Sequence, residues 1–341
     1  MFRKPTVIIL GAGANVEFGL PLGNGLMSAV ETNLRVDGRG IAKTESADEF
    51  LRLLKNRFGP EEYRDYLNAG KELVQVMGRF RSLDEALHYL SADTKCIVAG
   101  KAAIVSSILG SEKNSKLKID GRLGRPDLPR VVSTWAPHFL SMAVSDLTMG
   151  EISRIFENVT IINFNYDRSL EHYLYWALQG DLGVPRNEAG DIVKGMKVLR
   201  PYGSVGPLDW QAEGGVPYGG PDNLDVSLFQ MADGIRTYTE QCHMELRAQI
   251  DAALNSALLI VILGFGFHSQ NLELFKAPSP GRRMDNRRVF ATVKGFVPEN
   301  HGVLSERLTQ HLRTSVPMQL LDRTACEMLR DLQLAIMAAT N

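Results

Sequence analysis

Apolar positions concentrate in five short runs along the chain. These runs are rich in β-branched residues and show no alternation of apolar and polar positions; they cover residues 6–10, 158–164, 196–200, 258–263 and 289–293. Continuous apolar runs are typical of strands that helices cover on both faces of a sheet. The pattern therefore predicts an α/β fold, with a doubly wound, mostly parallel, Rossmann-like sheet.

The long stretch between the first and second runs has helical rather than strand periodicity. In residues 82–91, Leu83, Ala86, Leu87 and Leu90 fall on one helical face,. Ser82 and Glu85, three residues apart, predict a capping box at the start of this helix,. The stretch is too long for a crossover between neighbouring strands. We therefore predict a large helical insertion over residues 39–149, with residues 1–38 and 150–341 forming the sheet domain.

Three further segments have distinct patterns. Residues 111–130 are polar and contain Gly, Pro and several Lys and Arg, which predicts an exposed loop inside the insertion,. No aromatic residue lies among these charges, so a solvated loop is favoured over a nucleic-acid contact. Residues 180–195 also predict a loop, because they contain Gly, Pro and Asp. Residues 323–340 predict a final helix.

Composition and charge exclude several classes of protein. The 38 Lys and Arg nearly balance the 39 Asp and Glu, so nothing indicates bulk attraction to nucleic acid or to an anionic membrane,. Cys96, Cys242 and Cys326 lie far apart, which excludes a disulfide framework and a cysteine-rich zinc module,. No stretch approaches the length of a membrane span. We expect a cytoplasmic protein with no metal, no membrane and no direct nucleic-acid partner.

The first run ends in a glycine-rich turn, Gly11-Ala12-Gly13. Ligands of open parallel sheets bind at the carboxyl ends of strands, and glycine lets backbone N–H groups approach a pyrophosphate. The same turn is equally consistent with a tight connection that binds nothing. The next glycine, Gly19, comes six residues after Gly13 instead of three, so this is not the loop of an ordinary dehydrogenase,.

Polar or glycine-rich residues follow the next three runs as well. Asn165 and Asp167 follow the second run, where an amide and a carboxylate could fix ribose hydroxyls or a carboxamide,. Asp167 could instead simply cap the following helix. The third run leads into "YGSVGPLDW" (202–210), and the fourth into "GFGFHSQN" (264–271). Together the four strand ends predict a composite nucleotide site.

These motifs resemble one family in sequence and order. "GAGANVEFGLP" (11–21) resembles the NAD-binding loop of sirtuins, and "FNYD" (164–167) resembles the strand end of prokaryotic sirtuin-like NAD hydrolases, several of which act in antiphage defence. "YGSVGPLDW" and "ILGFGFHSQNLELF" (262–275) are similar to two later loops of that family, and "SLDEALHYL" (82–90) to part of its helical insertion.

The resemblance implies a function and a set of site residues. It implies NAD+ as the bound molecule, cleavage of the nicotinamide–ribose bond to nicotinamide and ADP-ribose, a homo-oligomer and a partner protein in a defence system. Asn165 would touch the ribose or position water, and Asp167 would hold the carboxamide. The remaining expected NAD+ contacts are Gly11, Ala12, Gly13, Asn15, Gly19, Pro21, Gly203, Ser204, Gly264, Gly266, Ser269 and Asn271.

The chain also departs from the family pattern. It has no four-cysteine zinc module, which disfavours zinc-supported protein deacetylation, and Leu22-Gly23-Asn24 replaces the family's "DFR". Tyr202 stands where the family has its catalytic histidine. An unperturbed tyrosine has a pKa near 10 and donates a proton, whereas a neutral histidine accepts one.

Three interpretations of Tyr202 remain open. Asn165 and Asp167 could supply most of the catalysis while Tyr202 hydrogen-bonds the ribose. Another histidine, His268 or less favourably His172, could act as the base. Alternatively, the site binds NAD+ or ADP-ribose without cleaving it, as in a sensor or regulatory subunit. The sequence favours hydrolysis over binding alone.

Overall fold

The computed structural model describes residues 1–37, 39–221, 224–225, 227–237, 244–275, 286–312 and 314–340. Cys242 lies outside these residues. Cys96 and Cys326 are free thiols, both buried.

A parallel sheet forms the centre of the fold, as the sequence predicts. Within the described residues six strands pair in parallel in the order β5-β4-β1-β6-β7-β8, and a separate antiparallel ribbon joins β2 to β3. The strands are β1 (Thr6–Leu10), β2 (Ile119–Asp120), β3 (Arg125–Pro126), β4 (Val159–Asn163), β5 (Lys197–Leu199), β6 (Leu259–Leu263), β7 (Arg288–Thr292) and β8 (Gln319–Leu321). Each of the five apolar runs contains one strand of this sheet. The protein therefore has the predicted α/β, Rossmann-like fold.

Helices cover the sheet and make up 55% of the structure. They are α1 (Ala12–Asn15), α2 (Gly23–Leu34), α3 (Glu45–Met77), α4 (Leu83–Tyr89), α5 (Thr94–Asn114), α6 (Trp135–Val144), α7 (Ser169–Gly180), α8 (Arg186–Gly195), α9 (Ser227–Asp233), α10 (Met244–Ser256), α11 (Ser269–Glu273), α12 (His301–Leu312), α13 (Ala325–Asp331) and α14 (Gln333–Thr340). Within α3 the helix bends at Gly59, which has a φ of +76°, just before Pro60,.

Two apolar cores lie on opposite faces of the sheet. Val7 and Ile9 of β1 face the core that contains α2, α3, α4 and α5. Ile8 and Leu10, the alternate residues, face the core that contains α6, α7, α8, α13 and α14. Because both faces of β1 are buried, its sequence is continuously apolar.

Helix α5 corrects one sequence-based expectation. Among the described helices it is the one long and apolar enough to cross a membrane, although no stretch of the sequence was expected to approach that length. About 56% of its apolar window is buried. It packs against α2, α3 and α9, as the core helix of a globular fold does.

Two segments predicted as loops contain regular structure. Residues 111–114 form the last turn of α5, where Glu112 is fully buried, and β2 and β3 pair within residues 119–126. Residues 121–125 are exposed, as predicted. Residues 186–195 form α8, so the loop prediction for 180–195 is wrong over that range.

Two helix predictions hold with changes in detail. Ser82 caps α4 by accepting from the Glu85 N–H at 3.2 Å, but the Glu85 carboxylate accepts from the Arg81 N–H and not from Ser82. The final helix is divided into α13 and α14, and both pack against α6. The boundaries of the helical insertion stay a prediction.

Two glycine turns interlock at the carboxyl ends of β1 and β6. The Gly11 N–H donates to the Leu263 carbonyl at 3.0 Å, and the Gly13 N–H donates to the Gly264 carbonyl at 2.8 Å. A Cβ on Gly13 would lie 2.9 Å from the Gly264 Cα, and a Cβ on Gly264 would lie 1.9 Å from the Ala14 nitrogen. Gly264 also has a φ of +60°. Only glycine fits this crossing without moving the backbone.

We expect Gly264→Ala to lower the free energy of unfolding by at least about 1–3 kcal/mol, because the new methyl group meets backbone and the φ angle is unfavourable for alanine. Gly110→Ala is the matched control: Gly110 lies within α5 with open space around its Cα, and there alanine should raise stability by about 0.5–1 kcal/mol. Urea unfolding of both variants measures the difference. A wild-type midpoint for Gly264→Ala would contradict the interlock.

Candidate functional site

A cavity of about 590 Å³ lies at the carboxyl ends of the central strands, and we call it the strand-end cavity. Its volume falls within the range typical of small-molecule sites. It is bordered by the turn after β1, the loop after β4, the residue Tyr202 beyond β5, the turn after β6 and the start of α4. The four strand ends that the sequence singled out therefore meet at one place.

Most of the predicted site residues line this cavity. They are Gly11, Ala12, Gly13, Asn15, Pro21, Asn165, Asp167, Tyr202, Gly264, Gly266, His268 and Asn271.

Four predicted contacts do not line it. Gly19 ends a 3₁₀ turn with a φ of +93°, and Ser269 is an exposed first residue of α11. Gly203 lies against another loop, where a Cβ would be 1.9 Å from the Gly234 carbonyl oxygen. Ser204 borders a smaller cavity of about 310 Å³. The two glycines among them, Gly19 and Gly203, thus serve backbone geometry.

The glycine turn offers fewer N–H groups to a ligand than its sequence suggests. The N–H groups of Gly11 and Gly13 are already bonded to the β6 end. The Ala12 N–H begins α1 and has no intrahelical acceptor, so it is the group of this turn available to an anion,. Because α1 is only four residues long, its dipole adds little,.

Asn15, Asn165 and Asp167 form a buried polar group at the cavity floor. The Asn15 Nδ2 donates to both carboxylate oxygens of Asp167, at 3.0 and 2.9 Å, and the Ser169 N–H donates to Oδ1 at 2.9 Å. Burial raises the pKa of Asp167. The Asn165 Nδ2 donates to the Gly11 carbonyl at 3.3 Å and so ties the β4 end to the glycine turn. Asn15 Oδ1 is buried and accepts no hydrogen bond from the described residues.

Two arginines hold the loop that carries these side chains. Arg200 donates to the carbonyls of Asn165 and Asp167, at 2.7 and 3.1 Å. Arg168 forms a fully buried ion pair with Glu112 of α5, and Glu112 also accepts from the Arg168 backbone N–H at 2.9 Å. The helical stretch between β1 and β4 is thereby fixed to the loop after β4.

An aromatic cluster forms the wall between the β4 and β6 ends. The ring of Phe164 lies 4.8 Å from that of Phe265 and 6.0 Å from that of Tyr202, centroid to centroid. The Tyr202 hydroxyl donates to Asn271 Oδ1 at 2.5 Å. The phenol at the position of the expected histidine therefore donates its proton to Asn271.

The two histidines considered as bases differ in position. His268 is exposed at the start of α11 and lines the strand-end cavity. His172 does not line it: its Nε2 lies 3.1 Å from the Leu117 carbonyl oxygen, and its ring stacks on Tyr218 with centroids 4.0 Å apart. Burial, with Arg168 nearby, lowers the pKa of His172 to about 3. A base role for His172 is therefore wrong.

Sequence reasoning missed several residues that border the cavity. Glu17 accepts from the N–H groups of Trp135 and Cys326 and so joins the starts of α6 and α13; burial raises its pKa. Thr292 accepts from the Gly264 N–H at 2.7 Å. Asp84 and three cations, Arg81, Lys294 and Arg323, also line the cavity. Glu17 and Asp84 lay in quoted motifs, but neither was selected as a site residue.

Neither a metal site in the described part of the chain nor a family match was found. Within the described residues no group of three or more His, Cys, Asp or Glu is placed to hold a metal ion. No protein-family model matches this chain, and no curated protein matches its sequence. The resemblance to sirtuin-like NAD hydrolases therefore stays a prediction from the sequence motifs.

The His172 environment predicts a pH dependence of stability. The pKa of His172 is about 3 in the folded protein and about 6.5 in an unfolded chain. The unfolded state therefore binds more protons between these values, and stability is lost as the pH falls through this window.

His172→Phe keeps a ring for stacking and removes the titration. From pH 6.5 to 5 we expect the wild type to lose about 2 kcal/mol more unfolding free energy than this variant. Urea unfolding at both pH values measures this, with His88→Asn at an exposed position as the control that should follow the wild type. Parallel pH curves for wild type and His172→Phe would disprove the assignment.

Proposed function

We propose that the protein is an NAD+ glycohydrolase, which cleaves the nicotinamide–ribose bond with water and releases nicotinamide and ADP-ribose. The observation that carries the proposal is the meeting of four strand-end motifs at one cavity: the Gly11–Gly13 turn, Asn165 with Asp167, Tyr202, and the Gly264–Asn271 turn.

The cavity wall suits the parts of a dinucleotide. Phe164, Tyr202 and Phe265 offer an apolar surface for a flat ring,. Lys294 and Arg323, which follow β7 and β8, bring positive charge to the cavity, and the Ala12 N–H can donate to a phosphate oxygen. The carboxylates that line the cavity leave it without a large net charge, as suits a ligand with both anionic and neutral parts.

The Asn15–Asp167 pair supports recognition of a carboxamide. Asp167 has both oxygens occupied by Asn15 and Ser169, whereas Asn15 Oδ1 is unpartnered within the described structure. A buried oxygen without a donor is costly. We therefore assign recognition of the ligand's carboxamide to Asn15 Oδ1. Asp167 holds the Asn15 side-chain amide in place.

The reaction suits these groups because it needs orientation more than a strong nucleophile. Departure of nicotinamide leaves an oxocarbenium-like ribose, which fixed dipoles and nearby carboxylates stabilise. Asn165, held between the Arg200-bound loop and Gly11, would orient the ribose or the water. No step requires a metal ion.

Binding without cleavage is the second candidate, and the contact of Tyr202 favours it. In this arrangement its hydroxyl keeps its proton and donates it to Asn271, so Tyr202 does not stand as a base toward the ribose hydroxyl,. The protein would then sense NAD+ or ADP-ribose. The homo-oligomer, the partner protein and the defence role that the resemblance implies stay predictions.

We expect Asn165→Ala to lower kcat/KM for NAD+ by about 10²–10³-fold, because it removes a polar group that orients the reacting centre. Nicotinamide and ADP-ribose are followed by chromatography, with Asn114→Ala at the exposed end of α5 as the control that should keep the wild-type rate.

The outcomes separate the two candidates. Full activity of Asn165→Ala with an unchanged melting curve would refute the assignment of the site. No product from the wild type, together with a melting temperature raised by ADP-ribose, would favour the sensor. The absence of both a product and a thermal shift would reject both candidates.

A further inference from the structure

Asp84 lines the strand-end cavity and belongs to the helical stretch between β1 and β4. It is the second residue of α4, the helix that Ser82 caps, and it is half-buried. Arg81, Ser82, Leu83 and Asp84 all line the cavity. The sequence stretch between β1 and β4 thus contributes a carboxylate to the site.

One hydrogen bond connects Asp84 to the polar loop after β4. The Tyr166 hydroxyl donates to Asp84 Oδ1 at 2.9 Å. Tyr166 lies in the chain between Asn165 and Asp167, and its ring contacts that of Tyr202 with centroids 6.2 Å apart. The carboxylate is therefore held beside the loop that carries Asn165, which we assign to the ribose or the water, and Asp167, which holds Asn15.

The other two carboxylates of the cavity are already engaged. Both oxygens of Glu17 accept backbone N–H groups, and both oxygens of Asp167 accept from Asn15. Among the described residues, Asp84 accepts from one neighbouring side chain, Tyr166. It is thus the cavity carboxylate best placed to exchange a proton with a bound molecule.

The protonation of Asp84 suits this role at neutral pH. Burial raises its pKa from 3.8 to about 6; the Tyr166 hydroxyl and the Asp84 backbone N–H lower it, and Glu85 adds a small increase. Burial likewise raises the pKa of Tyr166, which stays a phenol and a donor. An acid with a pKa near 6 is mostly ionised at pH 7, and is a stronger base than an exposed aspartate.

We propose that Asp84 is the general base of the hydrolysis, the role left open by Tyr202. This inference rests on the proposed NAD+ glycohydrolase function. The water oxygen forms the bond to the ribose C1′, the C1′–N bond breaks, and its electron pair leaves with neutral nicotinamide. The water proton passes to the Asp84 carboxylate and from there to solvent.

Other charged or titratable groups near Asp84 could also shift its pKa. Tyr166 faces it from the loop after β4, with Tyr202 behind, and Glu85 is its neighbour on α4. Helices α2 and α5 contribute uncharged side chains to the cavity, such as Leu26 and Ile108. The other charged or titratable groups on the cavity walls are Glu17, Arg81, Asp167, His268, Lys294 and Arg323.

The test measures kcat/KM for NAD+ from pH 5 to 8 with the full chain, together with the affinity for ADP-ribose. The wild-type profile should fall below about pH 6, where Asp84 gains a proton. Asp84→Asn should lower kcat/KM by about 10²–10⁴-fold and abolish that fall, with ADP-ribose affinity unchanged. Asp84→Glu should recover part of the rate.

Two further variants distinguish a base from a structural residue. Tyr166→Phe removes the donor that lowers the Asp84 pKa,. The fall of kcat/KM at low pH, the acid limb of the profile, should therefore move to higher pH. Glu85→Gln is the matched control: it changes the next carboxylate of the same helix turn, keeps an oxygen for the Arg81 N–H, and should keep the wild-type rate.

The failures of the two proposals are distinguishable. An active wild type whose Asp84→Asn variant keeps its rate and its acid limb overturns the base role alone. Loss of ADP-ribose binding in Asp84→Asn, or an acid limb that Tyr166→Phe leaves unmoved, also overturns it in favour of a structural role. A wild type that makes no product at any pH overturns the hydrolysis and the base role together.

Discussion

The close approach of two glycine turns, at the ends of β1 and β6, is the constraint on which the site depends. Gly11 and Gly13 bond to Leu263 and Gly264, and no side chain fits between them. The crossing forms part of the wall of the strand-end cavity, which Ala12, the first residue of α1, also lines. The glycines that look like ligand contacts in the sequence therefore act first as packing residues, and the binding surface follows from that packing.

A buried ion pair attaches the helical stretch between β1 and β4 to this floor. Glu112 of α5 accepts from the guanidinium and the backbone N–H of Arg168, and also from the Gly219 N–H at 3.0 Å. Breaking such a pair by removing one partner costs about 3–5 kcal/mol, because a charge is left buried alone. Helix α4 belongs to the same stretch and carries Asp84, so the helices and the strand ends together enclose one cavity.

The sequence predicted what short-range patterns encode. Continuous apolar runs identified β1, β4, β5, β6 and β7, and the glycine or amide residues after four of them identified the cavity. The sequence analysis missed β8, whose three residues are half exposed or exposed at the edge of the sheet. It missed α8, because Gly190 and Gly195 suggested a loop, whereas Pro185 starts the helix and Gly190 packs near Trp210,. The contact of Asp84 with Tyr166 joins residues 82 positions apart, and that of Glu112 with Arg168 joins residues 56 positions apart. No local sequence pattern predicts such contacts.

The central claim is that the four strand ends form one dinucleotide site. A crystal structure of the Asn165→Ala variant with NAD+ tests it most directly. The account predicts the pyrophosphate beside the Ala12 N–H, the carboxamide at Asn15 Oδ1 and the adenosine near the Gly264–Asn271 turn. A nucleotide bound elsewhere, or an empty cavity at saturating NAD+, would contradict it.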